Sequence, residues 1–204
     1  TCPSGVQYGR LVDIGRRIVE DRVGRSSGEA ARRWSLRKGL QSKVLFGGAL
    51  ALGRIAKAFV PSELARGIPA SRRAGAWPSP RHGRRMLVLE GCVQPAIAPS
   101  IDAALARVLD RVGVSLVRVP GGGCCGALPL HLNENDEAQA MARANVDAWW
   151  PHVEAGAEAI VVTASGCGVL VKDYGHLLAR DPAYAAKAAR VAALARDTIE
   201  VVAP

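Results

Sequence analysis

Along the first part of the chain apolar residues recur at helical spacing, predicting helices at roughly 9–22, 28–39 and 43–59. A stretch rich in Pro, Gly, Ser and Arg follows, IPASRRAGAWPSPRHGRR, which reads as a linker and puts a domain boundary near residue 83. Beyond it the pattern changes to short continuous apolar runs alternating with amphipathic stretches. MLVLE (86–90), VSLVRV (114–119) and AEAIVVTA (157–164) read as three strands. Between and after them, helices are predicted at 100–113, from about Asp136 to Ala155, and on to about Ile199. Strands too apolar to face water, each followed by a helix long enough to cross back over the sheet, predict an α/β domain with a parallel sheet over 84–204. The mainly helical segment 1–83 precedes it.

Composition narrows the class. With 49% hydrophobic and 22% charged residues the chain has enough apolar surface for a real core, and with few aromatics that core is aliphatic and alanine-rich. The net charge of +9 is concentrated before residue 86. Without aromatic interleaving or zinc-finger spacing, that excess reads as a solvated basic face, or one turned to an acidic partner or anionic headgroups, and not as a nucleic-acid site. The most apolar stretch, KVLFGGALALGRIAKAFV (43–60), is interrupted by Arg54 and Lys57 and falls short of an uncharged span of about 20 residues. The chain opens on Thr with no signal-peptide pattern, and its end, VVAP, reads as a strand-to-loop edge. The expectation is an internal piece of a longer protein.

Five cysteines, an odd number, do not form a secreted disulfide framework and fit a reducing compartment. Four of them follow the predicted strands: Cys92 after the first, Cys124 and Cys125 after the second, Cys167 after the third. In open α/β sheets such loops line the ligand crevice, so four thiols are expected at one sheet edge. Gly91, Gly121, Gly122, Gly123, Gly126, Gly166 and Gly168 flank them, leaving the backbone free to approach a bulky inorganic group. A single such cysteine is more often a small buried hydrophobe; the adjacent pair in PGGGCCGAL, which would be strained as a disulfide, shifts the balance toward ligation. Four thiolates also suit tetrahedral zinc, although the CxxC knuckles usual in such sites are missing. At the other end Cys2 precedes Pro3, as in the last cysteine of a ferredoxin run, whose other cysteines would lie upstream. His131 follows the cysteine pair by six residues and reads as an ordinary loop histidine or a proton carrier; Lys172, Asp173, Tyr174 and His176 read as lining for the crevice or a partner surface, or as polar helix-start residues without a function. No GxGxxG after a strand, no P-loop and no Ser/His/Asp arrangement is present to bind a nucleotide or abstract a hydride.

Together these segments resemble the family of glycolate oxidase iron–sulfur subunits, related to subunits of lactate-utilisation and anaerobic glycerol-3-phosphate dehydrogenase complexes. TCPSGVQYGRLVDIGR is similar to the end of that family's double ferredoxin motif. LEGCVQPAIAPSIDAALARVLDRVGV, GGGCCGALPLHL, ANVDAWWPHVEAGAEAIVVTASGCG and VKDYGHLLARDPAYAAKAARVAALARD are similar to its first cysteine-rich CCG domain. The module also resembles that of the heterodisulfide reductase B subunit: a Cys, here Cys92, then 31 residues, then Cys124-Cys125-Gly126. It departs at the last element, where Ala164 stands at the first cysteine of the Cys-x-x-Cys that would end at Cys167, so that relative's noncubane cluster chemistry does not carry over.

The resemblance implies 1–83 as the end of a ferredoxin-like module with a helical connector, and 84–204 as the CCG domain. It implies a [4Fe-4S] cluster with Cys2 as one ligand and the rest upstream. A further cluster would lie on Cys92, Cys124, Cys125 and Cys167. It implies an electron-transfer subunit, not catalytic alone, that takes electrons from an FAD-bearing flavoprotein partner toward the quinone pool, in the cytoplasm or on the inner face of the cell membrane. A second cysteine-rich module would follow residue 204. The alternatives are the iron–sulfur subunit of a lactate-utilisation or anaerobic glycerol-3-phosphate dehydrogenase complex, a thiol/disulfide redox module, or a scaffold whose cysteines bind nothing.

Overall fold

The computed structural model describes residues 4–202. Helices α1 (Tyr8–Val23), α2 (Ser27–Gln41), α3 (Lys43–Ala56) and α4 (Ser62–Gly67) lead into an irregular segment and then β1 (Arg84–Leu89). Next come α5 (Gln94–Ile97), α6 (Ser100–Arg111), β2 (Val114–Arg118), α7 (Ala127–His131), α8 (Asn135–Glu154) and β3 (Ala159–Val162). The chain continues through α9 (Ser165–Lys172), α10 (Tyr174–Leu177), α11 (Ala185–Leu194), β4 (Ala195–Asp197) and α12 (Thr198–Val202).

The four strands form one parallel sheet in the order β2-β1-β3-β4. Alternate side chains divide between two cores, as the period of two requires. Leu87, Leu89, Ile160 and Val162 face α8 and α11 through Val146, Trp149 and Val191. Met86, Val88, Ala159 and Val161 face α6 through Leu105, Ala106 and Leu109. Helices on both faces explain why the strands read as uninterrupted apolar runs. From β1 the chain crosses to β2 on one side; from β2 it returns past β1 to β3 on the other. The order therefore reverses between β1 and β3, and their carboxyl ends part at that point.

Three expectations change. The helix expected to reach Ile199 stops at Leu194, and ARD (195–197) is the edge strand β4, with Ala195 paired to Ile160. Alanine-rich sequence favours helix, but pairing with the open edge of β3 overrides that weak preference. Val201 and Val202 then belong to α12 and not to a strand-to-loop edge; the last two residues lie outside the described ones. The Pro/Arg-rich linker has no helix or strand before Arg84, where β1 begins, yet it is fastened along the outer strand β2. Trp77 Nε1 donates to the Leu116 carbonyl at 3.1 Å, the Arg81 and His82 amides donate to Ser115 Oγ at 3.0 and 2.9 Å, and the Arg118 guanidinium lies 3.9 Å over the Trp77 ring. An edge strand left open is a site for unwanted pairing, and the linker covers it.

Helices α1 and α3 bury no residue fully, and α2 buries only Arg37, which pairs with Glu134 and Glu137. Arg54 of α3 donates to the carbonyls of Pro69, Ala70 and Ala96, joining the helical part to the linker and to α5. Among the described residues no helix is long and apolar enough to cross a membrane.

Candidate functional site

All three strand-end segments expected to carry cysteine meet at the carboxyl edge of the sheet. Cys92 lies three residues beyond the end of β1, Cys124 and Cys125 in the loop between β2 and α7, and Cys167 in the first turn of α9, not in a loop. Gly91 and Gly126 take positive φ, +73° and +91°. At Gly126 a Cβ would also stand 3.0 Å from the Ala138 carbonyl oxygen of α8, so the turn that presents the pair needs glycine twice over. Cys2 lies outside the described residues.

The thiols are free and form a run of neighbours: Cys92 touches Cys124, Cys124 touches Cys125, and Cys125 touches Cys167, which is within electrostatic range of Cys92 and Cys124. Cys125 is buried and the other three are half-buried. The Ala127 amide donates to Cys125 Sγ at 3.4 Å. Among the described residues no three Cys, His, Asp or Glu side chains surround a common point as a single ion would require. An all-thiol donor set from three strand-end segments, with backbone N–H groups on three of the sulfurs, fits an iron–sulfur cluster, whose thiolates attach at separate corners.

These contacts fix the protonation of the metal-free thiols. Contact with Cys124, then burial, raises the Cys92 thiol well above the ordinary cysteine value; contact with Cys125 raises Cys124, against the opposing effect of Cys92. Cys125 is lowered by Cys124 but raised more by Cys167 and burial together, and is pushed up to about 12. Cys167 is lowered, chiefly by its contact with Cys125. Such an array resists carrying several negative charges by itself, and a cationic metal group would reverse that by deprotonating its ligands.

Two buried side chains, of which the sequence expectations include Tyr174 but not Asn145, hold the cysteine pair. Asn145 of α8, 1% exposed, accepts from the Gly123 amide at 2.9 Å and donates to the Cys124 carbonyl and to Tyr174 Oη, each at 2.9 Å. The Tyr174 hydroxyl, fully buried, donates to the Cys125 carbonyl at 2.7 Å. Its ring stacks on Trp149 at 6.5 Å between centroids, and burial raises its phenol strongly. Every donor of the Asn145 amide and the Tyr174 hydroxyl is used, which makes the pair a rigid clamp on the loop backbone. Tyr174 is one of the VKDYGH residues that the sequence offers either as lining for the crevice or as ordinary helix-start residues; its hydroxyl lies against the backbone of the cysteine pair. Asn145 carried a readable signal: it falls on the buried stripe Ala138, Ala142, Val146, Trp149, where a polar side chain must find partners. His131 ends α7 with its side chain largely exposed and Nδ1 3.7 Å from Asp13 Oδ1. Ala164 is the residue before α9 and accepts the Gly168 amide at 2.9 Å.

Residues 86–172 match the family model described as a cysteine-rich domain, CCG. The chain is 47% identical to the glycolate oxidase iron-sulfur subunit of Escherichia coli over 99% of its length and 50% of that protein. It is 28% identical to a probable glycolate oxidase iron-sulfur subunit of Bacillus subtilis over 98% of this chain and 50% of the relative. With lactate utilization protein A of an Exiguobacterium it shares 26% identity over 54% of this chain and 46% of that protein. The chain thus spans about half the length of the curated relatives it matches. No solved structure matches. Residues 86–172 are therefore a cysteine-rich CCG domain, and the chain that carries them resembles glycolate oxidase iron–sulfur subunits along nearly its whole length.

Proposed function

We propose that this chain is part of the iron–sulfur subunit of a 2-hydroxy acid oxidising complex, with Cys92, Cys124, Cys125 and Cys167 as ligands of one cluster. The observation that carries the reading is the meeting of four thiols from three strand-end segments at one sheet edge, where open α/β sheets bind their ligands. A cluster held there, of the [4Fe-4S] type, supplies one-electron transfer. The chain's own residues hold the thiols in place: Asn145 and Tyr174 clamp the pair, and the Ala127 amide supports Cys125.

Residues 1–83 are the end of a ferredoxin-like module with its connector, Cys2 ligating a second cluster, and 84–204 are the CCG domain. Oxidising an alcohol carbon removes two electrons together, chemistry that belongs to a flavin or nicotinamide. A partner flavoprotein carrying FAD takes them from glycolate, and this subunit passes them singly toward a quinone at the inner membrane face. The names of the similar Escherichia coli and Bacillus subtilis proteins support glycolate as the substrate class; the weaker likeness to lactate utilization protein A supports lactate next.

The test is iron and acid-labile sulfide analysis with electron paramagnetic resonance on anaerobically purified full-length protein, wild type against C124S and C167S, followed by glycolate-dependent dye reduction with and without the flavoprotein. Loss of one cluster's signal in both variants, and dye reduction only when the flavoprotein is present, is the expected result. The direct contacts Cys92–Cys124 and Cys125–Cys167 favour one competing reading, a thiol/disulfide redox module. Metal-free protein whose thiols titrate reversibly would replace the cluster reading with that one.

A further inference from the structure

A buried acid occupies the place where the sheet order reverses. Asp102, 3% exposed, is in the first turn of α6, the helix that begins at the carboxyl edge and crosses to β2. Its Oδ1 accepts from Gln94 Nε2 at 2.9 Å and from Thr163 Oγ1 at 2.6 Å, and Gln94 Nε2 also lies 2.5 Å from Thr163 Oγ1. These bonds come from side chains of neutral groups; Arg118 and Glu90 act on the carboxyl only through space, and burial raises it. The remaining buried residues of α6 are Ala103, Leu105, Ala106 and Leu109, a stripe in which an apolar side chain at 102 would pack at less cost than a carboxyl. The acid is therefore not there for packing.

Its two partners explain it. Gln94 is two residues after Cys92, and Thr163 is four residues before Cys167, one turn from it at the entry to α9. We propose that Asp102 is a positioning residue for the cysteine centre: by holding Gln94 and Thr163 on one oxygen atom, across the gap between β1 and β3, it sets the separation of the Cys92 and Cys167 segments. The proposal rests on the reading that the four cysteines act as one centre. Asn145 and Tyr174 fix only the Cys124–Cys125 loop, so among these side-chain bonds the segments of the outer two cysteines are tied to each other at this junction alone, by the Gln94–Thr163 bond and by the carboxylate that holds both its partners in place.

The test uses the full-length protein as wild type, D102N, D102A and T163V. The metal-free chain is treated with a short bifunctional thiol reagent and the linked cysteines are mapped by mass spectrometry; the anaerobic protein is examined by electron paramagnetic resonance. Asparagine keeps the accepting oxygen, so D102N should retain the wild-type cross-links and spectrum. D102A removes both bonds to Oδ1, so cross-links from Cys92 and Cys167 to the central pair should fall by at least roughly fivefold, the ratio for one ordinary hydrogen bond, and the cluster signal should broaden or shift. T163V, which removes one arm, should lower the Cys167 cross-links alone, and it carries the test if D102A does not melt cooperatively. Wild-type cross-links and spectrum in D102A, or D102N impaired as much as D102A, would overturn the proposal, the second result assigning the effect to charge. Absence of any cluster from wild type, with cross-links still responding to D102A, would refute the cluster reading and leave the positioning role standing.

Discussion

Replacing Tyr174 by Phe removes one oxygen atom and leaves the ring, its stacking on Trp149 and the packing of the larger core in place. Two bonds go with it: the 2.7 Å bond to the Cys125 carbonyl and the 2.9 Å bond from the Asn145 amide. Both partners are buried, and Asn145 has no slack, since its other donor and its acceptor are committed to Cys124 and Gly123. A buried polar group left without a partner costs about 1–3 kcal/mol, so two orphaned groups cost roughly 2–4 kcal/mol once partial rearrangement is allowed for. For a chain of this size that corresponds to a fall in Tm of roughly 4–16 °C, and in urea to a lower midpoint with an unchanged slope. Because the orphaned carbonyl is that of Cys125, alkylation of Cys125 in the metal-free protein should also speed up, while that of Cys92 stays unchanged. Y174F melting within a degree of wild type with unaltered Cys125 reactivity would refute the clamp.

Gly126→Ala forces a Cβ to 3.0 Å from the Ala138 carbonyl and a side chain onto φ +91°; the left-handed backbone alone costs ~1–2 kcal/mol, whereas Gly123→Ala, with nothing within 4 Å, should stay within about 0.5 kcal/mol of wild type. Urea midpoints of the two variants check the contrast, and equal midpoints would count against it. Glu20 is held down to about 2, below its usual 4.5, first by the hydrogen bond from Arg25, against burial, and then by Asn133 and Arg33. A depressed carboxyl contributes stability that is complete above 4.5 and is lost as the pH falls from there through about 2. E20Q should therefore melt below wild type at pH 7, by an amount worth no more than about 1 kcal/mol for a partly exposed pair, and the two melting curves should converge as the pH falls below 4.5; curves that stay parallel would dissociate Glu20 from this pH dependence.

The strands and crossover helices were readable because burial on both faces writes them as unbroken apolar runs, and the cysteines were readable because each follows one of those runs. What escaped has a common physical cause. β4 was hidden because three residues of an alanine-rich stretch become a strand only when an open edge is there to receive them. The first turn of α9 around Cys167 was hidden because SGCG has the composition of a loop. The role of Tyr174 was hidden because no periodicity marks a short helix, and that role depends on α8 arriving from elsewhere in the sequence. Asn145 and Asp102 left a trace, a polar residue three or four positions from apolar ones on a buried stripe, but the stripe says only that a partner exists and not which loop supplies it.

These polar exceptions fall in a pattern. On the face covered by α8, Asn145 and Tyr174 reach the backbone of the central cysteine pair; at the start of α6, which covers the opposite face, Asp102 holds the segments of the outer two. Backbone amides reach three of the thiols locally: Val93 and Cys92's own amide at Cys92, Gly126 at Cys124, and Ala127 at Cys125. Those local bonds do not join one cysteine segment to another; the side chains that reach between segments are Asn145, Tyr174 and Asp102, each rooted in a close-packed core that does not yield. Cysteine spacing in the sequence nominates the candidate ligands, while the arrangement of their segments in space depends on two helices that present an amide and a carboxylate over the end of the sheet, one from each face.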